Sequence, residues 1–188
     1  WVNLMTLEPE GCWVDERVGV VAASATAVCY GTELAWIGMV LTLPEFRGRG
    51  LARGLMEHCL RWLEGRGVRQ LKLDATDMGR PLYEKLGFRE ERRTERWSAS
   101  REKATTPEPA QLPAASVAAC DRESFGVDRS RLIGQLVSAF PGQGEWLEGS
   151  GFILGRPGAN AFFLGPCAAT GAEVARRLIA GLMDRSGE

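Results

Sequence analysis

Arg47-Gly48-Arg49-Gly50-Leu51-Ala52 stands between an apolar run ending at Leu43-Pro44 and a helical pattern that begins at Leu51. A strand, a short glycine-rich loop and a helix start, in that order, form a cradle for an oxyanion. Gly48 and Gly50 let backbone approach the anion with no Cβ in the way, and the first unpaired N–H groups of the helix point at it, aided by the helix dipole. Arg47, Arg49 and Arg53 add guanidinium groups whose planar forks suit phosphate oxygens. The loop therefore predicts an anionic, phosphate-bearing ligand.

The rest of the composition narrows the setting. At 188 residues, 45% hydrophobic and 25% charged, with a net charge of -1, the chain reads as a globular protein of one large or two small domains. Its charges are intermixed, so neither a nucleic acid nor a membrane surface is an expected partner. No apolar run approaches the roughly 18 to 20 residues that span a bilayer, and the first residues lack the basic-then-apolar order of a signal peptide, which makes the cytoplasm the expected location. Five cysteines, Cys12, Cys29, Cys59, Cys120 and Cys167, are scattered with no C-x-x-C spacing and a single histidine, His58. That pattern argues against a disulfide framework or a metal site and for small buried side chains. His58 falls inside the predicted helix and reads as solvated or at the core edge.

Along the chain, Trp1 to Leu7 resembles the end of an amphipathic helix, so the chain is expected to start within a domain. Gly11 to Val14 and Val18 to Ala22 read as strands joined across Asp15-Glu16-Arg17, and Ala25 to Tyr30 prolongs the second. Leu34 to Leu43 is a third, completing an antiparallel meander that feeds the loop. From Leu51, apolar residues at 51, 55, 59 and 62 recur at helical spacing until Gly65 and Gly67. Val68 to Leu73 reads as a strand, Arg80 to Leu86 as a short helix with Pro81 in its first turn, and Phe88 to Trp97 as a charged last strand near an edge. Residues 98–116 hold Pro107, Pro109 and Pro113 and no aromatic residue, as in a connection between domains. Beyond it, Val117 to Phe125 and Ser130 to Phe140 read as helices, Gly151 to Gly155 and Ala161 to Leu164 as strands, and Ala172 to Met183 as a helix.

Three nucleotide-binding patterns compete for the loop. A Walker A loop needs a lysine and a hydroxyl after its last glycine, and neither is present. A dinucleotide fingerprint needs its third glycine one residue earlier than Gly54, and its strand should open a βαβ unit rather than close a meander. The third pattern fits: Arg47-Gly48-Arg49-Gly50-Leu51-Ala52 resembles the R-x-x-G-x-G/A pyrophosphate loop of the GNAT superfamily of N-acetyltransferases. Downstream, Leu82-Tyr83-Glu84-Lys85-Leu86-Gly87-Phe88 resembles that family's L-Y-x-x-x-G-F segment at the expected distance. The resemblance runs from Gly11 to Trp97 and implies an α/β (α+β) fold, the GNAT acyl-CoA N-acyltransferase fold, with a mixed, mostly antiparallel sheet flanked by helices.

It also implies acetyl-coenzyme A (acetyl-CoA) as co-substrate, with no metal. By motif position, Met39, Val40, Leu41 and Thr42 would pair with the pantetheine arm and polarise the thioester carbonyl. Arg47, Gly48, Arg49, Gly50, Leu51 and Ala52 would hold the pyrophosphate. Tyr83 stands where the family's tyrosine protonates the leaving thiolate, so it is the expected catalytic residue; the alternative is a tyrosine that only packs helix on sheet. Two positions depart from the pattern. Thr76 stands where asparagine is common, and Gly79 replaces a common alanine. Asp74 and Glu45 are the candidates for the base that takes the amine proton.

Residues 121–131 followed by a helix resemble the opening of the second domain in tandem GNAT proteins of the YitH/HsaT type. The counterpart of the phosphate loop would then be Pro166 to Gly171, which lacks arginine and keeps only the final glycine, as expected of a degenerate repeat. Arg129 and Arg131 are candidates to meet an anionic acceptor. The expected organisation is a GNAT domain over 1–97, a linker over 98–116 and a partial degenerate GNAT-like domain over 117–188. The expected function is direct acetyl transfer to a primary amine of a small molecule or peptide, in a protein free to form a homodimer. The alternative is a coenzyme A or acyl-coenzyme A sensor that binds without chemistry.

Overall fold

The computed structural model describes residues 2–99 and 111–185. The chain divides into two compact units, Trp1–Trp97 and Ser98–Glu188.

The first unit opens with helix α1 (Val2–Leu7) and a 3-10 turn at Pro9–Gly11, followed by strands β1 (Cys12–Arg17), β2 (Val20–Tyr30) and β3 (Leu34–Thr42). After a second 3-10 turn at Pro44–Phe46 come helix α2 (Leu51–Gly65), strand β4 (Gln70–Leu73) and helix α3 (Arg80–Lys85). The sheet order is β1-β2-β3-β4, with the first two pairings antiparallel and the last parallel. The meander before the loop and the crossover through α2 therefore match the sequence reading.

Helix α2 lies on one face of this sheet because the sequence puts small side chains beneath it. Ala23, Ala25, Ala27 and Ala35 are all buried, and Leu55, Met56, Cys59 and Leu63 of α2 close over them with Ile37. Trp62 and His58 stack edge-on against Trp13 of β1, at 5.1 and 5.3 Å between ring centres. His58 is exposed, at the core edge as expected. The C-terminus of α2 is tied to the start of the unit by Arg66, whose guanidinium lies 4.1 Å over the Trp62 ring and pairs with Glu8 and Glu10.

Three local expectations are corrected. Asp15, Glu16 and Arg17 are strand, not turn: the hairpin turns at Val18-Gly19, both with positive φ (53° and 76°), and the polar triplet belongs to an edge strand whose outer side chains meet water. Residues 89–97 carry no regular secondary structure, because a run of Arg and Glu has no alternating apolar side to bury. The cysteines are free, but only Cys59 is buried; Cys12, Cys29 and Cys120 are partly covered and Cys167 is exposed. Burial pushes the Cys59 thiol up to about 12, so it stays protonated and shielded. A thiol-labelling reagent is expected to modify Cys59 only on unfolding, as mass spectrometry of the labelled peptides will show.

The second unit contains helices α4 (Ala114–Phe125) and α5 (Ser130–Ala139), strands β5 (Gly144–Leu147), β6 (Gly151–Pro157) and β7 (Phe162–Ala169), and helix α6 (Ala172–Arg185). The helix expected from Val117 thus begins at Ala114. The sheet order β5-β6-β7 is antiparallel throughout. Strand β6 is buried on both faces: Phe152 and Leu154 meet Val117, Ile133 and Leu136, while Ile153 meets Leu178 and Leu182 of α6. The meander-then-helix order repeats that of the first unit.

Candidate active site

Strand β3 is longer than its parallel partner. The β3–β4 ladder runs from Leu34 opposite Gln70 to Ile37 opposite Leu73 and ends there. Residues 38–42 continue past it with that edge free of β4; Gly38, Leu41 and Thr42 stay in register with β2, and Met39 and Val40 lie between them. At the same place the β2–β3 register slips between Ser24 and Thr26, inserting one extra residue into β3. Met39 takes φ +51°, left-handed for a residue with a side chain. Such a bulge bends a strand and re-aims its backbone. The Ser24 hydroxyl donates to the Met39 carbonyl at 2.8 Å and the Thr26 hydroxyl to the Gly38 carbonyl at 3.1 Å. Neither hydroxyl was singled out from sequence, although two hydroxyl residues inside the apolar run of β2 were a visible signal.

From Thr42 the chain passes through the turn Pro44–Phe46 into the glycine loop. Gly48 (φ +74°) and Gly50 (φ +79°) are both left-handed, and a Cβ on either would meet no neighbour. Glycine is required here by backbone conformation, not by crowding. Gly50 precedes α2 with no side-chain cap, and no acidic residue occupies the first helical turn. The leading N–H groups and the positive end of the helix dipole therefore face the loop with no carboxylate in that first turn. Arg47 donates to the Thr42 carbonyl at 3.3 Å, and Arg49 to the Glu45 carbonyl at 2.9 Å while lying 5.2 Å over the Phe46 ring. These bonds fold both arginines onto the loop. Arg53 instead pairs with Glu57 at 2.8 Å, one helical turn along. Gly50→Ala should lower stability by about 1–2 kcal/mol, the cost of a left-handed alanine, measured as a shift in the urea unfolding curve.

Tyr83 sits in α3 and is buried, 8% exposed, in one cluster with Ile37 and Val40 of β3, Met56 of α2 and Phe88. Its ring meets that of Phe88 edge-on at 6.2 Å, and burial pushes its phenol above the ordinary value. A phenol held so is protonated at neutral pH and able to donate. Gly79 explains itself: a Cβ there would lie 2.9 Å from the Tyr83 ring. Thr76 receives the Gly79 N–H on its hydroxyl at 3.3 Å, so it shapes the turn into α3. Asp74 and Glu45 are both exposed.

The second unit departs from this plan at the equivalent point. Pro166 to Ala169, expected to be loop, belong to β7, and only Thr170 and Gly171 join β7 to α6. β7 also slips register against β6 between Ile153 and Gly155, and there it carries Pro166, which has no N–H. A cavity of about 430 Å³ beside the start of α6 is lined by Leu147, Glu148, Ser150, Glu173, Val174 and Arg177. Two carboxylates against one guanidinium make poor phosphate surroundings. Arg129, considered for an anionic acceptor, is committed to Asp121 through bonds of 2.9 and 2.6 Å. Arg131 is exposed on α5. Among the described residues no group of three or more His, Cys, Asp or Glu is placed to hold a metal ion, and no helix is long and apolar enough to cross a membrane.

Residues 2–88 match the profile of the acetyltransferase (GNAT) family, and residues 117–188 match that of an acetyltransferase (GNAT) domain. The chain belongs to the GNAT acetyltransferases. It is of the tandem kind, with two GNAT stretches in succession. It is 32% identical over 162 residues to the uncharacterized N-acetyltransferase YitH of Bacillus subtilis (strain 168), an alignment covering 79% of this GNAT chain and 56% of YitH. A crystal structure described as that of a candidate acetyltransferase from Pyrococcus horikoshii superposes with a TM-score of 0.77 at 21% identity, over 100% of this chain and 65% of that one. That likeness shows the fold. The chain spans less than two thirds of the length of either relative.

Proposed function

We propose that this protein transfers the acetyl group of acetyl-CoA to a primary amine by direct attack, using one site, in the first unit. The observation that carries the proposal is the continuous run from the unpaired edge of β3, through the left-handed glycines, to the uncapped start of α2. An extended pantetheine arm adds to a free strand edge as a further strand would, and a pyrophosphate suits a glycine cradle at a helix N-terminus.

In this reading Gly48, Gly50 and the N–H groups leading into Leu51 and Ala52 receive the pyrophosphate, with Arg47 and Arg49 turning from the loop carbonyls to its oxygens. Met39 to Thr42 hold the pantetheine arm and present backbone N–H groups to the thioester carbonyl. A neutral amine attacks that carbonyl, the developing oxyanion is met by preorganised N–H donors, and the thiolate leaves with a proton from Tyr83. The exposed carboxylates of Asp74 and Glu45 are the proposed acceptors of the amine proton, directly or through water. The second unit is read as a GNAT-like repeat without a coenzyme site, given its two-residue connection, Pro166 and the carboxylates of its cavity. The acceptor is a small-molecule or peptide amine met in the cytoplasm.

The test is thiol release from acetyl-CoA across a panel of amines, with coenzyme A binding followed by calorimetry. Turnover with at least one amine, at one coenzyme equivalent per chain, is the expected result. Saturable coenzyme binding with no turnover on any amine would favour the sensor, a reading that the burial of Tyr83 in the core keeps in view. Absence of coenzyme binding would overturn both.

A further inference from the structure

The hydroxyls of Ser24 and Thr26 are buried, at 5% and 2% exposure for their residues, and each is spent on a carbonyl of the β3 bulge. In a regular antiparallel ladder, consecutive carbonyls of one strand alternate in direction. Here two in succession, those of Gly38 and Met39, accept hydroxyl protons from the same neighbouring strand. Peptide planes are rigid and trans, so an N–H points opposite to the carbonyl of its own plane. Drawing the Gly38 and Met39 carbonyls toward Ser24 and Thr26 therefore turns the N–H groups of Met39 and Val40 away from those hydroxyls. The same pull holds Met39 in its left-handed conformation, which a side chain disfavours.

We infer that Ser24 and Thr26 are positioning residues: a pair of buried hydroxyls on β2 that hold the Met39 bulge and so set the aim of the β3 backbone at the bound thioester. The inference rests on the acetyl-transfer reading for its functional consequence and on the geometry alone for its structural one. Both hydroxyls donate to backbone carbonyls of β3. Their effect passes through the Gly38 and Met39 carbonyls to the donors on the other side of the same peptide planes. Alanine at position 24 or valine at position 26 keeps the strand and most of the volume but releases one carbonyl. The bulge then has one anchor instead of two.

Ser24→Ala, Thr26→Val and the hydroxyl-keeping pair Ser24→Thr and Thr26→Ser separate these roles. Backbone chemical shifts of Met39 and Val40 in isotope-labelled full-length protein should leave left-handed values in the first two variants and keep them in the other two. With acetyl-CoA, kcat should fall on the order of 100-fold in the first two while affinity for coenzyme A, held by the loop, changes by less than about twofold; a misaimed donor costs rate rather than cofactor binding. The infrared band of a carbon-13 thioester carbonyl, lowered in frequency when bound to the parent protein, should move back toward its free value. Unchanged Met39 shifts in both variants, or unchanged kcat in both, overturns the inference. Should the parent protein fail to bind coenzyme A, the acetyl-transfer reading falls, and the Met39 shifts still decide whether the hydroxyls hold the bulge.

Discussion

Tyr83→Phe is expected to reduce acetyl transfer by about 100- to 10,000-fold in kcat while leaving coenzyme A affinity within about twofold, the pattern of a lost general acid. The argument begins with what the substitution leaves intact. The ring supplies the packing against Ile37, Val40 and Phe88, and phenylalanine preserves that ring, so unit stability should hold. What disappears is one hydroxyl whose proton burial retains. The direction of that shift also sets the pH profile. In the proposed mechanism the acid form is the active one; burial raises its pKa, so the alkaline fall in kcat is expected above the ordinary phenol value of about 10 rather than below it. Steady-state kinetics of parent and variant across pH, with calorimetric coenzyme titration, reads both effects. A variant that turns over at the parent rate would remove Tyr83 from the chemistry and leave it as packing.

Asp121→Ala should be the most damaging change in the second unit, lowering its stability by about 3–5 kcal/mol. Asp121 is 2% exposed and holds Arg129 with two hydrogen bonds, while that guanidinium lies 3.5 Å over the Phe125 ring. The pair pins α4 to the start of α5. Removing the carboxylate alone takes the bonded countercharge from a guanidinium that is 14% exposed and lies over the Phe125 ring. Denaturant unfolding followed by hydrogen exchange of the α4 and α5 amides measures the loss. Replacing both partners by apolar residues should recover much of it, because the penalty is that of the stranded charge. Recovery in the double variant distinguishes this account from general damage to the helix pair.

Much of the first unit was legible because its signals are backbone requirements. Glycines at 48 and 50 answer left-handed φ values, and the apolar spacing from Leu55 to Leu63 answers a sheet of alanines. The misreadings have physical reasons. Val18 in a left-handed turn defies the preference of branched side chains, so the polar triplet before it looked like the better turn. Gly144–Leu147 is a strand of four residues whose Glu145 breaks the apolar run, too short for a period to show. Residues 89–97 have the length of a strand but no side to bury. Thr76 and Gly79 stood out as departures, and only the folded chain reveals that one shapes a turn and the other makes room for the Tyr83 ring. The bulge itself was invisible, since the slip at Met39 is decided by hydroxyls on the neighbouring strand.

One of the differences between the openings of α2 and α6 is an acidic side chain. No aspartate or glutamate lies in the first turn of α2, whereas Glu173 occupies that of α6. A helix that supplies its own carboxylate has already answered the positive pole of its dipole, and any arriving polyanion must compete with a neighbour tethered permanently in place. The first turn of α2 brings no acidic side chain to that pole, whereas that of α6 brings Glu173, itself paired with Arg176.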